Sequence, residues 1–303
     1  MAAKKRKESE PIAAGETLAS GAAGFVGATV ILAGLIVVAF FAWKHWARPA
    51  LNPTLYQLTP DNVQIPPAPP WIRSDIKAEV FRDGSLAEAS ALETDLTPRI
   101  AQAFEMHPWV AEVTRVSKQA PAHVVVDLTY RQPVAWVEVP EGMFGQPEQG
   151  ALPIDGKSVL LPQADFTKDD LGLFIRIDVE NLSMSGPTGT VWGDPRVAGA
   201  AAIASVIGEH WRELGLYEIK ALADYSQSNT PARTRYELCT PNSKRLNWGS
   251  APGQEPPGEP PAATKLRLLR EYVERRGPLD ADKILGLDLC NPESIRTALL
   301  PQR

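Results

Sequence analysis

The chain has very little of what metal, redox and hydrolytic sites are built from. It holds two cysteines, Cys239 and Cys290, and four histidines, His45, His107, His123 and His210, in 303 residues. Two distant cysteines are too few for a zinc site. They could close one loop of about fifty residues, worth on the order of 3–4 kcal/mol if unstrained, or remain two buried thiols; spacing alone leaves both readings open. No histidine sits in an HExxH or other paired-ligand spacing. No serine occupies a nucleophile elbow, and Gly186, Gly189 and Gly193 do not make a dinucleotide fingerprint. Gly156-Lys157-Ser158 imitates the end of a phosphate loop, but Ala151 stands where that loop needs glycine and Pro153 removes an amide. Asp280 and Asp282 read as solvated loop carboxylates, and Asn181-Leu182-Ser183 is a glycosylation sequon that matters only in a secretory eukaryotic setting. No catalytic, cofactor-binding or metal residue is expected. The formal net charge is -5, which excludes the broad basic face of a nucleic-acid binder.

One thing is present in excess. Phe25 to Trp43 is apolar throughout, and no charged residue falls between Glu16 and Lys44. About nineteen residues at ~1.5 Å each give ~28 Å, close to the ~30 Å hydrocarbon core of a bilayer. The sequence therefore predicts a transmembrane helix over 24–44, with Trp43 and Trp46 at an interface. Lys4, Lys5, Arg6 and Lys7 precede the span, while only Lys44 and Arg48 closely follow it. The positive-inside rule places the N-terminus in the cytoplasm and the remainder outside. A cleaved signal peptide is the rival, but its apolar region would be shorter and its exit less bulky than Phe40, Phe41, Trp43 and Trp46. Gly24 with Ala28, and Ala23 with Gly27, have the small-xxx-small spacing of helix pairs.

The composition of the rest is globular, with 44% hydrophobic and 22% charged residues. A proline-rich linker at 45–71 excludes helix and favours an extended spacer. Ile76 to Phe81 reads as a strand, Ser85 to Leu92 as a short helix with a capping-box spacing, and Leu96 to Met106 as a helix ended by His107-Pro108. Val110 to Val116 and Val124 to Tyr130 read as strands, the second alternating with period two and continuing to Val137. That order, β-α-α-β-β, fills a first domain at 72–140. A second domain at 141–291 opens with a turn at Ile154 to Lys157 and a strand at Phe174 to Val179. Asp194-Pro195 then starts a helix that runs to Gly215. Strands follow at 219–223, 234–240 and 246–248. Ser250 to Pro261 reads as an exposed loop, Ala262 to Arg276 as a second amphipathic helix, and Ile284 to Cys290 as a last strand. Residues 1–23 and 292–303 are tails.

Several strings resemble the bacterial FtsQ/DivIB cell-division family. They are His107-Pro108-Trp109-Val110, Tyr130 to Trp136, Leu152 to Lys157, Ser185-Gly186-Pro187, Asn247-Trp248-Gly249 with Lys265-Leu266, and Leu287-Asp288-Leu289. Their order spans about 72 to 290. Cys290 departs from the family's usual arginine, and both the 250–261 loop and the linker are long. The resemblance implies an α+β chain: a single N-terminal transmembrane helix, a POTRA domain, and a second domain with a mostly antiparallel sheet. It implies no enzyme and no cofactor, but a scaffold at the cytoplasmic membrane, at the division septum, with its folded domains extracytoplasmic. Its partners would be other single-pass division proteins, FtsB- or FtsL-like, joined by β-augmentation. The expected partner-binding residues are Ile284, Leu285, Leu287 and Asp288 on the last strand, and Val113 and Arg115 in the first domain. A POTRA-type chaperone of protein export or outer-membrane assembly is the alternative, though it predicts repeats or a barrel that the sequence lacks. A membrane-anchored envelope enzyme would need Asp280, Asp282 and His210 to converge.

Overall fold

The structure is a computed structural model in which residues 17–47, 55–140, 150–183, 186–222, 234–280, 287–291 and 293–294 are described. The chain divides into two units, Met1–Gln57 and Leu58–Arg303.

In the first unit, helix α1 runs Thr17–Ala42 and a π-helical turn follows at Trp43–Ala47. Val30, Ile31, Leu35, Phe40 and Phe41 on α1 are all exposed. The transmembrane expectation over 24–44 is corrected here: among the described residues no helix is long and apolar enough to cross a membrane.

The second unit is α+β with two sheets and two cores. Its first lobe has strand β1 (Val63–Gln64), helices α2 (Ile76–Asp83) and α3 (Leu96–Glu105), and strands β2 (Val110–Gln119) and β3 (His123–Tyr130). The sheet order is β1-β3-β2, with β1 parallel and β2 antiparallel to β3. The order of elements is β-α-α-β-β, but different residues fill the first places. Ile76–Phe81 is not a strand. Asp75 caps α2 by accepting a hydrogen bond from Ala78 N at 3.1 Å, and Ile76, Val80 and Phe81 are buried together. Six residues show too little of the pattern to separate period two from the i, i+4 spacing of a helix. Ser85 to Leu92, expected as a helix, is a run of turns, with Ser85 at φ 51°. The first strand comes from the stretch read as linker: Val63 lies opposite Val124. Leu96, Ile100 and Phe104 of α3 pack with Val124 and Val126 of β3, each worth roughly 1.5–3 kcal/mol of burial.

The second lobe is built on strands β4 (Pro133–Val139), β5 (Gly150–Asp155), β6 (Ile175–Val179), β7 (Glu218–Leu222), β8 (Arg235–Cys239) and β9 (Arg245–Gly249). Helix α4 (Lys168–Leu171) precedes β6, α5 (Pro195–Ile207) follows it, and α6 (Ala262–Arg276) follows β9. The sheet order is β5-β4-β6-β7-β8-β9. It is mixed, which corrects the mostly antiparallel expectation: β4–β6 and β6–β7 are parallel pairs. For β6–β7 the reason lies in α5, which connects them. A helix between two neighbouring strands returns the chain to the end where the first strand began, so the second strand runs parallel. A second correction concerns β4. It does not extend β3 but starts the larger sheet, so the first lobe closes near Arg131 rather than at 140. Helix α5 begins as expected, with Asp194 accepting from Arg196 N at 3.0 Å and Pro195 in its first turn. It ends at Gly208, φ 54°, before a 3-10 turn at Gly208–Trp211. One face of the sheet is sealed by α5 and α6 around Val137, Ile177, Ile219, Leu238 and Trp248.

Candidate interaction site

A sheet that recruits a partner strand needs an edge with unpaired backbone groups; the edge strands are β5 and β9 in the larger sheet and β2 and the two-residue β1 in the smaller. At β5 the edge is closed by its own hairpin. Asp155 N donates to Val159 O at 3.1 Å and Leu161 N to Pro153 O at 2.9 Å. The Asp155 carboxylate accepts from Lys157 N at 2.9 Å and Val159 N at 2.8 Å, making Gly156-Lys157-Ser158 a tight turn.

At β9 the edge is closed by the chain's far end. Asn247 N donates to Leu287 O, and Leu289 N to Asn247 O, both at 2.9 Å, so Leu287–Leu289 runs parallel to β9. This is part of the expected last strand. Ile284 and Leu285 lie outside the described residues. Leu287 is buried in the core. The Asp288 carboxylate accepts from Asn247 Nδ2 at 2.9 Å and Cys290 N at 3.0 Å.

In the smaller sheet β2 is the outer strand, and among the described residues no strand pairs with its outer side. Register shifts break its pairing between Val110 and Glu112 and between Val113 and Arg115. From Arg115 to Gln119 each residue has a consecutive partner on β3, from Asp127 to His123. Val113 sits at the second irregularity, half-buried against the core, while Arg115 is exposed at the start of the regular run. The structure thus puts Val113 and Arg115 on one sheet and Leu287 and Asp288 on the other.

Three of the strings that carry the family resemblance meet at one junction between the lobes. His107 Nδ1 accepts from Trp109 N at 3.2 Å, which leaves Nε2–H to donate to Glu79 Oε2 at 3.0 Å. Trp109 Nε1 donates to buried Asp165 at 2.5 Å; Ser74 Oγ and Arg73 N donate to the same carboxylate. Arg131 pairs with Asp155 at 2.8 Å, and its carbonyl accepts from Trp71 Nε1 at 3.2 Å. Leu161 and Phe166, from the second lobe's side, pack into the first lobe's core. These contacts fix β2 relative to the larger sheet.

Sequence reasoning missed a buried pair. Lys265 on α6 is fully buried; its Nζ donates to Trp248 O at 2.6 Å and pairs with Glu259. Glu259 also accepts from Ser250 N at 2.8 Å and Ser250 Oγ at 3.0 Å. Burial works against the Glu259 charge, but Lys265 and Ser250 overcome it and hold the carboxyl below its ordinary range. The 250–261 loop, expected to be exposed, is therefore pinned, with Ala251 and Pro260 buried. The only signal in the sequence was a lysine on the apolar side of α6.

Both cysteines are free. Cys239 on β8 lies opposite Arg245, whereas Cys290 packs against Gly249, four residues along β9. At ~3.4 Å per residue the two are ~13 Å apart, beyond the ~7 Å limit for a disulfide. Burial pushes both thiols up to about 11. Asp280 accepts from Asn242 N at 3.0 Å and Asn242 Nδ2 at 2.7 Å, bracing a turn. His210 faces Glu213, and Asp282 lies outside the described residues.

No family model and no curated protein matches this chain.

Proposed function

We propose that the chain is a non-enzymatic scaffold of the bacterial division machinery that links septal membrane proteins by strand-edge pairing. The observation that carries the reading is the outer edge of β2, regular over Arg115–Gln119 and unpaired among the described residues. An edge of that length offers main-chain donors and acceptors to an extended partner segment. The edges of the larger sheet are already occupied at Pro153–Asp155 and at Asn247, and β1, the other edge of the smaller sheet, has only two residues, which supports β2 as the acceptor. The His107–Trp109, Arg131 and Asp155 strings that carry the resemblance meet at one junction, which gives them a shared structural role. Each string supplies a buried polar partner to an element far from it in sequence.

The partners in this reading are single-pass division proteins of the FtsB or FtsL type, and the localisation is the cytoplasmic membrane at the division septum. No cofactor enters. A fluorescent fusion expressed at native level tests it together with depletion. Septal enrichment and filamentous, undivided cells on depletion are expected. An even distribution with normal division would overturn the reading.

A further inference from the structure

Within the second unit, the described helices that pack on the six-stranded sheet, α5 and α6, cover one face, and the opposite face carries polar side chains. The registers stack its side chains in rows across the strands. Asp178 lies opposite Lys220, Lys220 opposite Glu237, Glu237 opposite Asn247, and Asn247 opposite Asp288. Glu138, two residues beyond Trp136 on β4, continues that row at its other end. The row therefore holds four carboxylates against the single ammonium of Lys220.

The cations of this face are already engaged. Lys220 Nζ lies 3.2 Å from Asp178 and 3.4 Å from Glu180. Arg176 pairs with Glu138 and, at 3.3 Å, with Glu218. Arg245 lies 3.6 Å from Glu237. Burial, with Asp178 and Glu138 nearby, raises the Glu218 carboxyl above its ordinary range even though Arg176 opposes the shift. Beside the acidic row are two aromatic rings. The Arg176 guanidinium sits 5.9 Å from the Trp136 ring centre and 5.7 Å from that of Tyr217, and Tyr217 is 43% exposed. Tryptophan, tyrosine and arginine are the residues that most often anchor protein interfaces.

We propose that this open face docks a basic helical segment of a protein partner, its lysines or arginines along the acidic row and its apolar side on Trp136 and Tyr217. The spacing fits. Strands lie ~4.8 Å apart and a helix advances ~5.4 Å per turn, so cations one turn apart meet Glu138 and Asp178, and cations two turns apart meet Asp178, Glu237 and Asp288 across Lys220 and Asn247. From β4 to Leu287–Leu289 the row crosses five strand spacings. That is ~24 Å, or about sixteen residues of helix. The inference does not rest on edge pairing at β2, since it uses the other sheet and side chains rather than backbone.

The test uses the purified full-length chain and a fluorescein-labelled alanine-based peptide of about sixteen residues, one helical span of the row, with arginine at every fourth position. A glutamate counterpart is the comparison, and anisotropy is read at low and high salt. The arginine peptide binds, binding weakens with salt, and the glutamate peptide does not bind. Glu180→Lys, at an exposed acid of this face, weakens binding about two- to fivefold. Lys220→Gln, which removes the one cation of the row, strengthens it by about the same factor, a gain that misfolding does not produce. Glu274→Lys on α6 changes the net charge equally and leaves affinity unchanged, as does Arg115→Glu on β2. The proposal is overturned if both peptides bind alike, if Glu180→Lys and Lys220→Gln leave affinity unmoved, or if Glu274→Lys matches the weakening by Glu180→Lys or Arg115→Glu the gain from Lys220→Gln.

Discussion

Removing one member of the Lys265–Glu259 pair and then both separates what the pair does from what each charge costs. Lys265 is fully buried and Glu259 keeps 8% of its side-chain exposure. In Glu259→Gln the ammonium stays buried with the Trp248 carbonyl and ring as its remaining partners. Breaking such a pair costs about 3–5 kcal/mol, because an uncompensated charge is left inside. At ~2–4 °C per kcal/mol for a unit of this size, the expected loss in Tm is ~6–20 °C. Lys265→Met leaves Glu259 with the Ser250 donors and with access to protonation, so it costs less. The double variant Glu259→Gln/Lys265→Met recovers most of the loss, since a buried ion pair and a packed apolar substitute are close in free energy. The pH dependence has a defined sign. The folded Glu259 carboxyl lies below its ordinary value of 4.5, so its contribution is complete above about pH 4.5 and is lost as pH falls through the depressed value. Thermal denaturation gives the global number. Reactivity of Cys290, which packs against Gly249 beside Glu259, reports opening of this corner alone. A double variant as unstable as the sum of the two single ones would refute the reasoning, and so would a Glu259→Gln loss under about 1 kcal/mol.

Other outcomes follow from the same geometry. Gly249 has φ 88°, and a Cβ there would collide with Cys290 Sγ and Glu259 Oε1, while Gly277 has the same φ with open space around it. Gly277→Ala should cost about 1–2 kcal/mol from backbone strain alone, and Gly249→Ala clearly more, both read by chemical denaturation. Asp165→Ala leaves the Trp109 indole N–H and Ser74 hydroxyl without their carboxylate. A loss of about 1–3 kcal/mol per orphaned group is expected, with faster amide exchange at Arg73 and Ser74. Alkylation of the denatured, unreduced chain should label both Cys239 and Cys290; a single disulfide would contradict the ~13 Å placement along β9.

What was legible in the sequence was what local chemistry decides. Asp194-Pro195 announced α5, because a capping carboxylate and a preset φ act within a few residues. Val124 to Tyr130 declared β3 by strict alternation, with Val124 and Val126 fully buried. Ile76–Phe81 misled because its apolar positions fit two periods at once, and the deciding contact was the Asp75 cap. The strand at Val63–Gln64 was hidden by prolines on either side, and only its parallel partner Val124 makes it a strand. The parallel pairs are not legible from strand patterns, because direction depends on the connection between strands: α5 crosses from β6 to β7 and so makes them parallel. The expected partner-binding residues fall in different settings: Arg115 lies on an edge unpaired among the described residues, whereas Leu287 and Asp288 serve the sheet they close, and closure of that kind depends on contacts about forty residues apart.

The most direct test of strand-edge scaffolding is amide hydrogen exchange across β2 in the full-length chain. The chain is mixed in turn with the extracytoplasmic segment of each single-pass division protein from the same cells. With one of them, alternate amides within Arg115–Gln119, those facing away from β3, should become protected while the inward set is unchanged. Protection that leaves Arg115–Gln119 untouched in every mixture would contradict the account.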